Sequence, residues 1–454
     1  MEKDWLEQRL ARFVREESPL GVAGAVVNHG ETVWVSAKGV TNSRRTHSVT
    51  VDTQFRIGSI TKTLIAIQLL VLRDAGVLDL DTPVNRLTQL DLPDFVTARS
   101  ILSHTSGMRR EPRGNPRGEV WASLEFPDSE ELLDDIQRHG VIFPRQGTWH
   151  YSNVAYCILG EVIKAISGEE WWINMRRVLL GPLGMDRTTV TAESPFSNGY
   201  FLNPYESLYY EEPVIDLNGL RVAGQLWSSI RDLARWLAFL TCPDESILAR
   251  RSLEDMTAPQ VMTDLTSWTS GWGLGFSLAR VADRVFFGHG GAVPGFTAAI
   301  LVDRQANVGA GVMCNMTSGV NINGLLTSML TEAPRYLPQV DSTDAVRAIE
   351  PPPESVLDVL GRWWSEGVEY IFEWSEKGLT CRAAVDSPLK QPAVFAETDA
   401  DLWVTLQGKD MGEFLRLSRS SNGKAQYLYW AGYIFKRQPG PFQKDVVDDL
   451  AVRN

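Results

Sequence analysis

Strand-type sequence lies on both sides of a helical middle, and this constrains the fold more than any other feature of the chain. GVAGAVV, NHGE and TVWVSAKG read as two β-type runs around a turn, a hairpin over Gly21–Gly39. From Trp272 onward come WGLGFSLARV, RVFFGHGG, GFTAAILVD and NVGAGVMCN, short apolar runs broken by Gly, Asp and Asn. They predict an antiparallel meander. From about residue 80 to 250 the apolar spacing is mostly helical. Two strand regions so far apart predict one antiparallel sheet closed by both ends of the segment, flanked by helices, with a mostly helical lobe inserted. Trp5, Leu6, Leu10, Phe13 and Val14 share one face of a predicted helix over residues 4–16.

At 454 residues the chain exceeds one average domain. EPPPES, Glu350–Ser355, is a stiff linker by composition. Beyond it VEYIFEW, LTCRAAV, LWVTLQG, EFLRLSR and YLYWAGYIFK read as short strands, with Asn422-Gly423 as a hairpin turn between two of them. Trp363, Trp364, Trp374, Trp403 and Trp430 supply bulk for a second core. The expected layout is a larger domain over 1–345, a linker over 346–353, a small antiparallel β-barrel domain over 354–440 and a tail over 441–454.

Composition narrows the function. A net charge of −12 argues against nucleic-acid binding. No run approaches the 18 or more apolar residues of a membrane span. MEKDWLEQRL carries acids where a secretion signal has a basic flank and an apolar run, so the expected location is cytoplasmic. Cys157, Cys242, Cys314 and Cys381 are widely spaced, which predicts neither a metal site nor a disulfide framework; Cys157 and Cys314 sit in apolar runs as buried thiols. No cofactor motif is present, so the expected partner is a small-molecule or peptide substrate, with oligomeric state left open.

The chemistry concentrates in FRIGSITKTLIAIQLL, Phe55–Leu70. Ser59 and Lys62 are three residues apart, so a helix stacks them on one face. Ser59 falls in the first turn, where the helix dipole favours developing negative charge. Leu64, Ile65, Ile67, Leu69 and Leu70 leave Lys62 little room except inside, and burial lowers a lysine's pKa. Such an amine can take the serine proton. An N-cap serine with a solvent lysine is the bland reading. The spacing alone is weak, because Ser387–Lys390 and Ser421–Lys424 share it. Those two contain Pro and the Asn-Gly turn and lie among predicted strands, so neither can stack Ser over Lys.

Two further motifs occur once each: Tyr151-Ser152-Asn153 and His289-Gly290-Gly291. In order along the chain stand F-R-x-G-S-x-T-K, L-S-H-T-S-G at Leu102–Gly107, G-T-W-H-Y-S-N-V-A-Y at Gly147–Tyr156, P-L-G-M at Pro182–Met185 and G-H-G-G-A-V-P-G-F at Gly288–Phe296. This set resembles the serine β-lactamase and penicillin-binding-protein superfamily, most of all its class C-like branch with D-aminopeptidases and esterases. The resemblance implies an α/β β-lactamase-like fold. It implies Ser59 as acylated nucleophile, Lys62 and Tyr151 as general base and acid, and Asn153 as a hold on the substrate's acyl-side amide. It also implies His289-Gly290-Gly291 as the strand edge along the substrate, and the N–H groups of Ser59 and Ala292 as the oxyanion hole. His104 of the second motif reads as structural.

Penicillin-processing relatives carry K-[ST]-G at the third motif; this chain has His289 there, and no K-T-G or K-S-G anywhere. A neutral histidine gives no charge for a substrate carboxylate. The expected activity is therefore a serine hydrolase or acyltransferase on D-residue peptides or esters. The alternatives are a peptide-releasing cyclase, a β-lactamase and a non-catalytic sensor. The same branch includes members with a lipocalin-like domain after the catalytic part. The Arg-rich segment Met108–Phe126 is expected at the cleft rim or as a solvated loop.

Overall fold

A computed structural model describes residues 4–113, 120–143, 147–203, 205, 208–317, 320–336, 351–365, 368–384, 392–408 and 410–439. The chain divides into two compact units, Met1–Pro338 and Gln339–Asn454.

The first unit is built on an eight-stranded antiparallel sheet. Its strands are β1 (Gly21–Asn28), β2 (Glu31–Gly39), β3 (Val261–Met262), β4 (Ser270–Trp272), β5 (Ser277–Val281), β6 (Arg284–Val293), β7 (Phe296–Asp303) and β8 (Val308–Cys314). They run in the order β2-β1-β8-β7-β6-β5-β4-β3. The expected closure is present: β1 pairs with β8, Val22 opposite Cys314 and Asn28 opposite Val308. The strand count exceeds the reading from sequence because Val261–Met262 and Ser270–Trp272 are too short to show a period.

Helices cover both faces. On one, α1 (Asp4–Glu17) buries Leu6, Leu10 and Phe13 in a cluster with Val22, Val312 and Met329. On the other, the Ile230–Thr241 helix lays Leu237 against β8, where Gly309 and Gly311 leave room: a Cβ there would sit 3.2 and 3.0 Å from the Leu237 methyls. The helical lobe spans the middle as expected. It also contains a strand pair too short to foresee, Gln54–Arg56 with Trp227–Ser229, which leads the chain into Ser59. Among the described residues no helix is long and apolar enough to cross a membrane.

The second unit is a nearly closed antiparallel barrel. Its eight strands follow one another in chain order, from Gly361–Ser365 to Tyr433–Phe435. The two edge strands meet through paired hydrogen bonds between Trp364 and Lys436. Trp363, Phe372, Phe395, Trp403, Leu428, Trp430 and Phe435 fill its centre. YLYWAGYIFK is two strands, not one, because Ala431 and Gly432 both turn with positive φ. Gly361–Ser365 and Ala393–Asp399 add strands that the sequence reading did not assign. Asn422-Gly423 sits in a turn between strands, with Gly423 at φ +80°. Pro353 caps a short helix, Glu354–Leu357, at the end of the Pro-rich stretch. Ser387–Lys390 and the expected tail over 441–454 lie outside the described residues, as does most of the expected linker.

Candidate active site

Ser59 lies one step before the helix predicted to carry it. Gly58–Ile60 is a single 3₁₀ turn, and the α-helix α2 runs Thr61–Asp74. A 3₁₀ turn brings side chains at i and i+3 nearly into eclipse, so the stacking of Ser59 with Lys62 is kept. The N-cap reading of Ser59 fails: neither helix start has a side-chain cap, and it is Thr61 Oγ1 that donates to Gly58 O at 2.7 Å. Ser59 Oγ is thus left for other work.

Lys62 is completely buried. Its Nζ donates to Ser59 Oγ at 3.1 Å, to Asn153 Oδ1 at 2.7 Å and to Ala223 O at 2.6 Å. Asn153 opens the helix α3 (Asn153–Ser167), capped by Ser152, whose Oγ accepts from Ala155 N at 3.0 Å. From its far end Asn153 Nδ2 donates to Glu111 Oε1 at 2.6 Å. A continuous polar line therefore runs Ser59–Lys62–Asn153–Glu111.

Tyr151 packs at the same place. Lys62 Nζ stands 5.0 Å from its ring centre, and the Arg110 guanidinium 5.0 Å from it. His104, fully buried, holds the segment: Ser152 N–H donates to His104 Nδ1 at 3.1 Å, His150 N–H to His104 O at 2.7 Å, and the His104 and Tyr151 rings lie 4.3 Å apart. Its structural reading thus has a definite geometry. Burial holds the His104 imidazole well below the usual histidine range, helped by the charges of Lys62 and Arg110.

The strand edge approaches through glycine. Gly58 adopts φ +49°, and a Cβ there would lie 2.8 Å from Ala292 N; a Cβ on Gly291 would lie 1.9 Å from Ile57 O and 3.1 Å from Ser59 N. Only two bare glycines let the Ser59 turn and β6 come this close. The backbones of Ser59 and Ala292 are brought side by side as a result. Gly290 differs, with open space around a built Cβ. His289 is buried, its Nδ1 bonded to Gly290 O at 2.6 Å, and desolvation with the nearby Lys62 charge moves its pKa down to about 3. It is neutral at pH 7, with Nδ1 carrying the proton.

These residues line one cleft of about 1060 Å³, enough for a drug-sized ligand or short peptide. Ser59, Tyr151, Asn153, His289, Gly290, Gly291 and Ala292 all face it; Lys62 acts from behind. Trp149 and Trp272 add an aromatic wall, their rings 5.7 Å apart. Neither was foreseen, since an isolated tryptophan carries no spacing signal. Arg110 and Glu111 also face the cleft, so part of the Met108–Phe126 segment belongs to the rim; residues 114–119 of it lie outside the described set. Glu111 could be suspected only as an acid inside a basic stretch. Among the described residues no group of His, Cys, Asp and Glu could hold a metal ion. Cys157, Cys314 and Cys381 are buried and in no disulfide, and Cys242 is exposed.

A sheet flanked by helices, with a serine and a buried lysine at the mouth of one of them, defines a class of folded unit that sequence comparison can name. The beta-lactamase family pattern matches residues 6–323, and the chain belongs to that family. A second pattern, a domain of unknown function (DUF7586), matches residues 352–437. The chain is 29% identical over 305 residues to penicillin-binding protein PbpX of Bacillus subtilis (strain 168), covering 64% of this chain and 68% of that one. It is 30% identical over 228 residues to esterase EstB of Burkholderia gladioli, covering 46% and 56%. Among solved structures, D-amino acid amidase from Ochrobactrum anthropi SV3 in complex with L-phenylalanine amide superposes with a TM-score of 0.59 at 26% identity, over 76% of this chain and 98% of that one.

Proposed function

We propose that the protein is a serine hydrolase that forms an acyl-enzyme on Ser59 and acts on D-residue peptides, amides or esters. One observation carries this: a fully buried lysine donates to a serine oxygen at 3.1 Å while Asn153 Oδ1 and Ala223 O fix two other directions of its nitrogen. Those two bonds leave the third direction of Nζ aimed at Ser59 Oγ, which places the amine to take the serine proton. Attack of Oγ on the substrate carbonyl carbon passes the hydroxyl proton to Nζ. The oxyanion that forms faces the N–H groups of Ser59 and Ala292, which the bare Gly58 and Gly291 allow to converge. Donors so placed contribute about 3 kcal/mol each to the transition state. Tyr151, beside Lys62, passes a proton to the leaving amine or alkoxide. Water then attacks the ester carbonyl by the reverse proton route and frees Ser59. A D-amino acid amidase and an esterase among the similar proteins favour amides and esters as substrates. Neutral His289 supplies no cation for a substrate carboxylate, which places β-lactams and carboxy-terminal peptides last.

The test is a fluorophosphonate probe with intact-mass readout, followed by turnover of D- and L-aminoacyl amides, p-nitrophenyl esters and a chromogenic cephalosporin. Labelling at Ser59, lost in Ser59→Ala, with amides or esters ahead of the cephalosporin, is the expected result. No label and no turnover would leave a non-catalytic binding protein as the better reading.

A further inference from the structure

We propose that Arg56 is a positioning residue for the Ser59 chemistry: from inside the fold it clamps the 215–225 segment, so that Ala223 O holds Lys62 Nζ against Ser59 Oγ. The proposal rests on the reading of Ser59 and Lys62 as the reacting pair and deepens it.

Arg56 ends the short strand Gln54–Arg56, three residues before Ser59. It is 2% exposed and does not line the cleft, so it touches no substrate there. Its strand partner is Trp227, and the guanidinium carbon lies 5.7 Å from the centre of that ring. Its bonds go to neutral oxygens: Nη1 donates to Ile215 O at 2.6 Å and Nη2 to Gln225 Oε1 at 3.1 Å. Among the described residues Nε has no partner. Asp216, whose charge it feels, is bonded instead to Arg221. Burial moves the Arg56 pKa down to about 10, with Asp216 opposing, so the group stays charged at pH 7. A cation buried against neutral oxygens is costly, and an apolar residue of similar volume would avoid the cost.

The two bonds hold both ends of one loop. Gln225 Oε1 also accepts from Leu217 N–H at 3.0 Å, Gln225 Nε2 donates to Val190 O at 3.2 Å, and Gln225 N–H donates to Arg221 O at 3.0 Å. Between the ends, the turns Asn218–Leu220 and Arg221–Gly224 carry Ala223, whose O accepts from Lys62 Nζ at 2.6 Å. Just beyond, Ile57 N–H donates to Leu226 O at 3.0 Å, which returns the loop to the strand that leads into Ser59. One side chain thus sets Ala223 O relative to Ser59. That carbonyl is one of the two acceptors that, with Ser59 Oγ, fix Lys62. If it shifts, Lys62 can turn away from Ser59. The planar fork of arginine spans Ile215 O and Gln225 together, whereas a lysine offers a single point charge.

The experiment measures Ser59 acylation by a fluorophosphonate probe, and the burst and KM with p-nitrophenyl acetate, in the wild type, Arg56→Met, Arg56→Lys, Gln225→Leu and Gln225→Glu. Acylation should fall about ten- to hundredfold in Arg56→Met and Gln225→Leu, with KM within about threefold of the wild type's. Arg56→Lys should lie between. Gln225→Glu keeps an acceptor for Arg56 and for Leu217 N–H, and its acylation should stay within about threefold of the wild type's. Arg56→Met combined with Gln225→Leu should lose little more than either alone. Crystal structures of Arg56→Met and Gln225→Leu should show Ala223 O beyond about 3.5 Å from Lys62 Nζ. Wild-type acylation in folded Arg56→Met, equal losses in Gln225→Leu and Gln225→Glu, or an unmoved Ala223 O overturns the proposal. Should Arg56→Met fail to fold, Gln225→Leu against Gln225→Glu decides in the same way. The crystal structures separate the clamp from the acyl-enzyme reading: if the wild type takes no label, a displaced Ala223 O still supports the clamp. Labelling at Ser59 that no Arg56 or Gln225 variant slows refutes the clamp and leaves the Ser59 chemistry standing.

Discussion

Asn153 and Glu111 are joined side chain to side chain by a 2.6 Å hydrogen bond from Nδ2 to Oε1. That bond decides which end of the Asn153 amide faces Lys62. The Glu111 oxygen accepts and the Lys62 nitrogen donates, so only one orientation of the amide satisfies both neighbours.

Asn153→Asp should therefore be destabilising. It keeps an acceptor for Lys62 but sets two carboxyl groups against each other in a buried place. A loss of about 2–3 kcal/mol is expected, growing as pH rises and both groups ionise. Glu111→Gln in the same chain should recover about half of it or more, read as a coupling term in a double-mutant cycle of urea unfolding. Strictly additive losses would show that the two residues do not share the bond.

Gly290 and Gly291 are adjacent and look alike in the sequence, yet their substitutions should diverge. Gly291→Ala sets a methyl 1.9 Å from Ile57 O and should cost about 2 kcal/mol or more, with a large loss of Ser59 labelling. Gly290→Ala meets no atom within 4 Å and should change stability by about 0.5 kcal/mol at most. Thermal denaturation of the two variants side by side checks this; equal shifts would contradict the backbone approach.

Acid should unfold the protein partly through its buried histidines. His289 has a pKa of about 3 in the folded chain, and His104 is likewise held low. In the unfolded chain both titrate near about 6.5. Below that value the unfolded state binds more protons than the folded one, so the contribution is complete above pH 6.5 and is lost as pH falls toward 3. His289→Asn should flatten the fall in urea midpoint between pH 6.5 and 4.5. An unchanged slope would mean that His289 is protonated in the native state.

Thiol reagents should find one fast site. Cys242 is exposed, whereas Cys157, Cys314 and Cys381 are buried, and burial moves the Cys157 and Cys314 thiols up to about 12. Native protein should release close to one equivalent in a rapid phase, removed by Cys242→Ser, and four on denaturation. Two or more rapid equivalents would place a second thiol at the surface.

The sequence by itself determined the alternation of apolar and turn residues, and so the sheet closed by both ends of the first unit, the helical lobe and the barrel unit. It also determined that Ser59 and Lys62 must share a face, since three residues of separation stack them in an α-helix and in the observed 3₁₀ turn alike. These are local properties, written within a few residues of backbone. The short strands Val261–Met262 and Gln54–Arg56 were not legible, because two or three residues make no period. Only the tertiary structure decided that Lys62 has no route to solvent, that Glu111 and Trp272 belong to the cleft, and that Gly58 must be bare opposite Ala292. Each of those depends on which distant segment arrives within a few ångströms. Burial, hydrogen-bond completion and the electrostatics that follow are properties of that convergence, and no single stretch of the chain contains them.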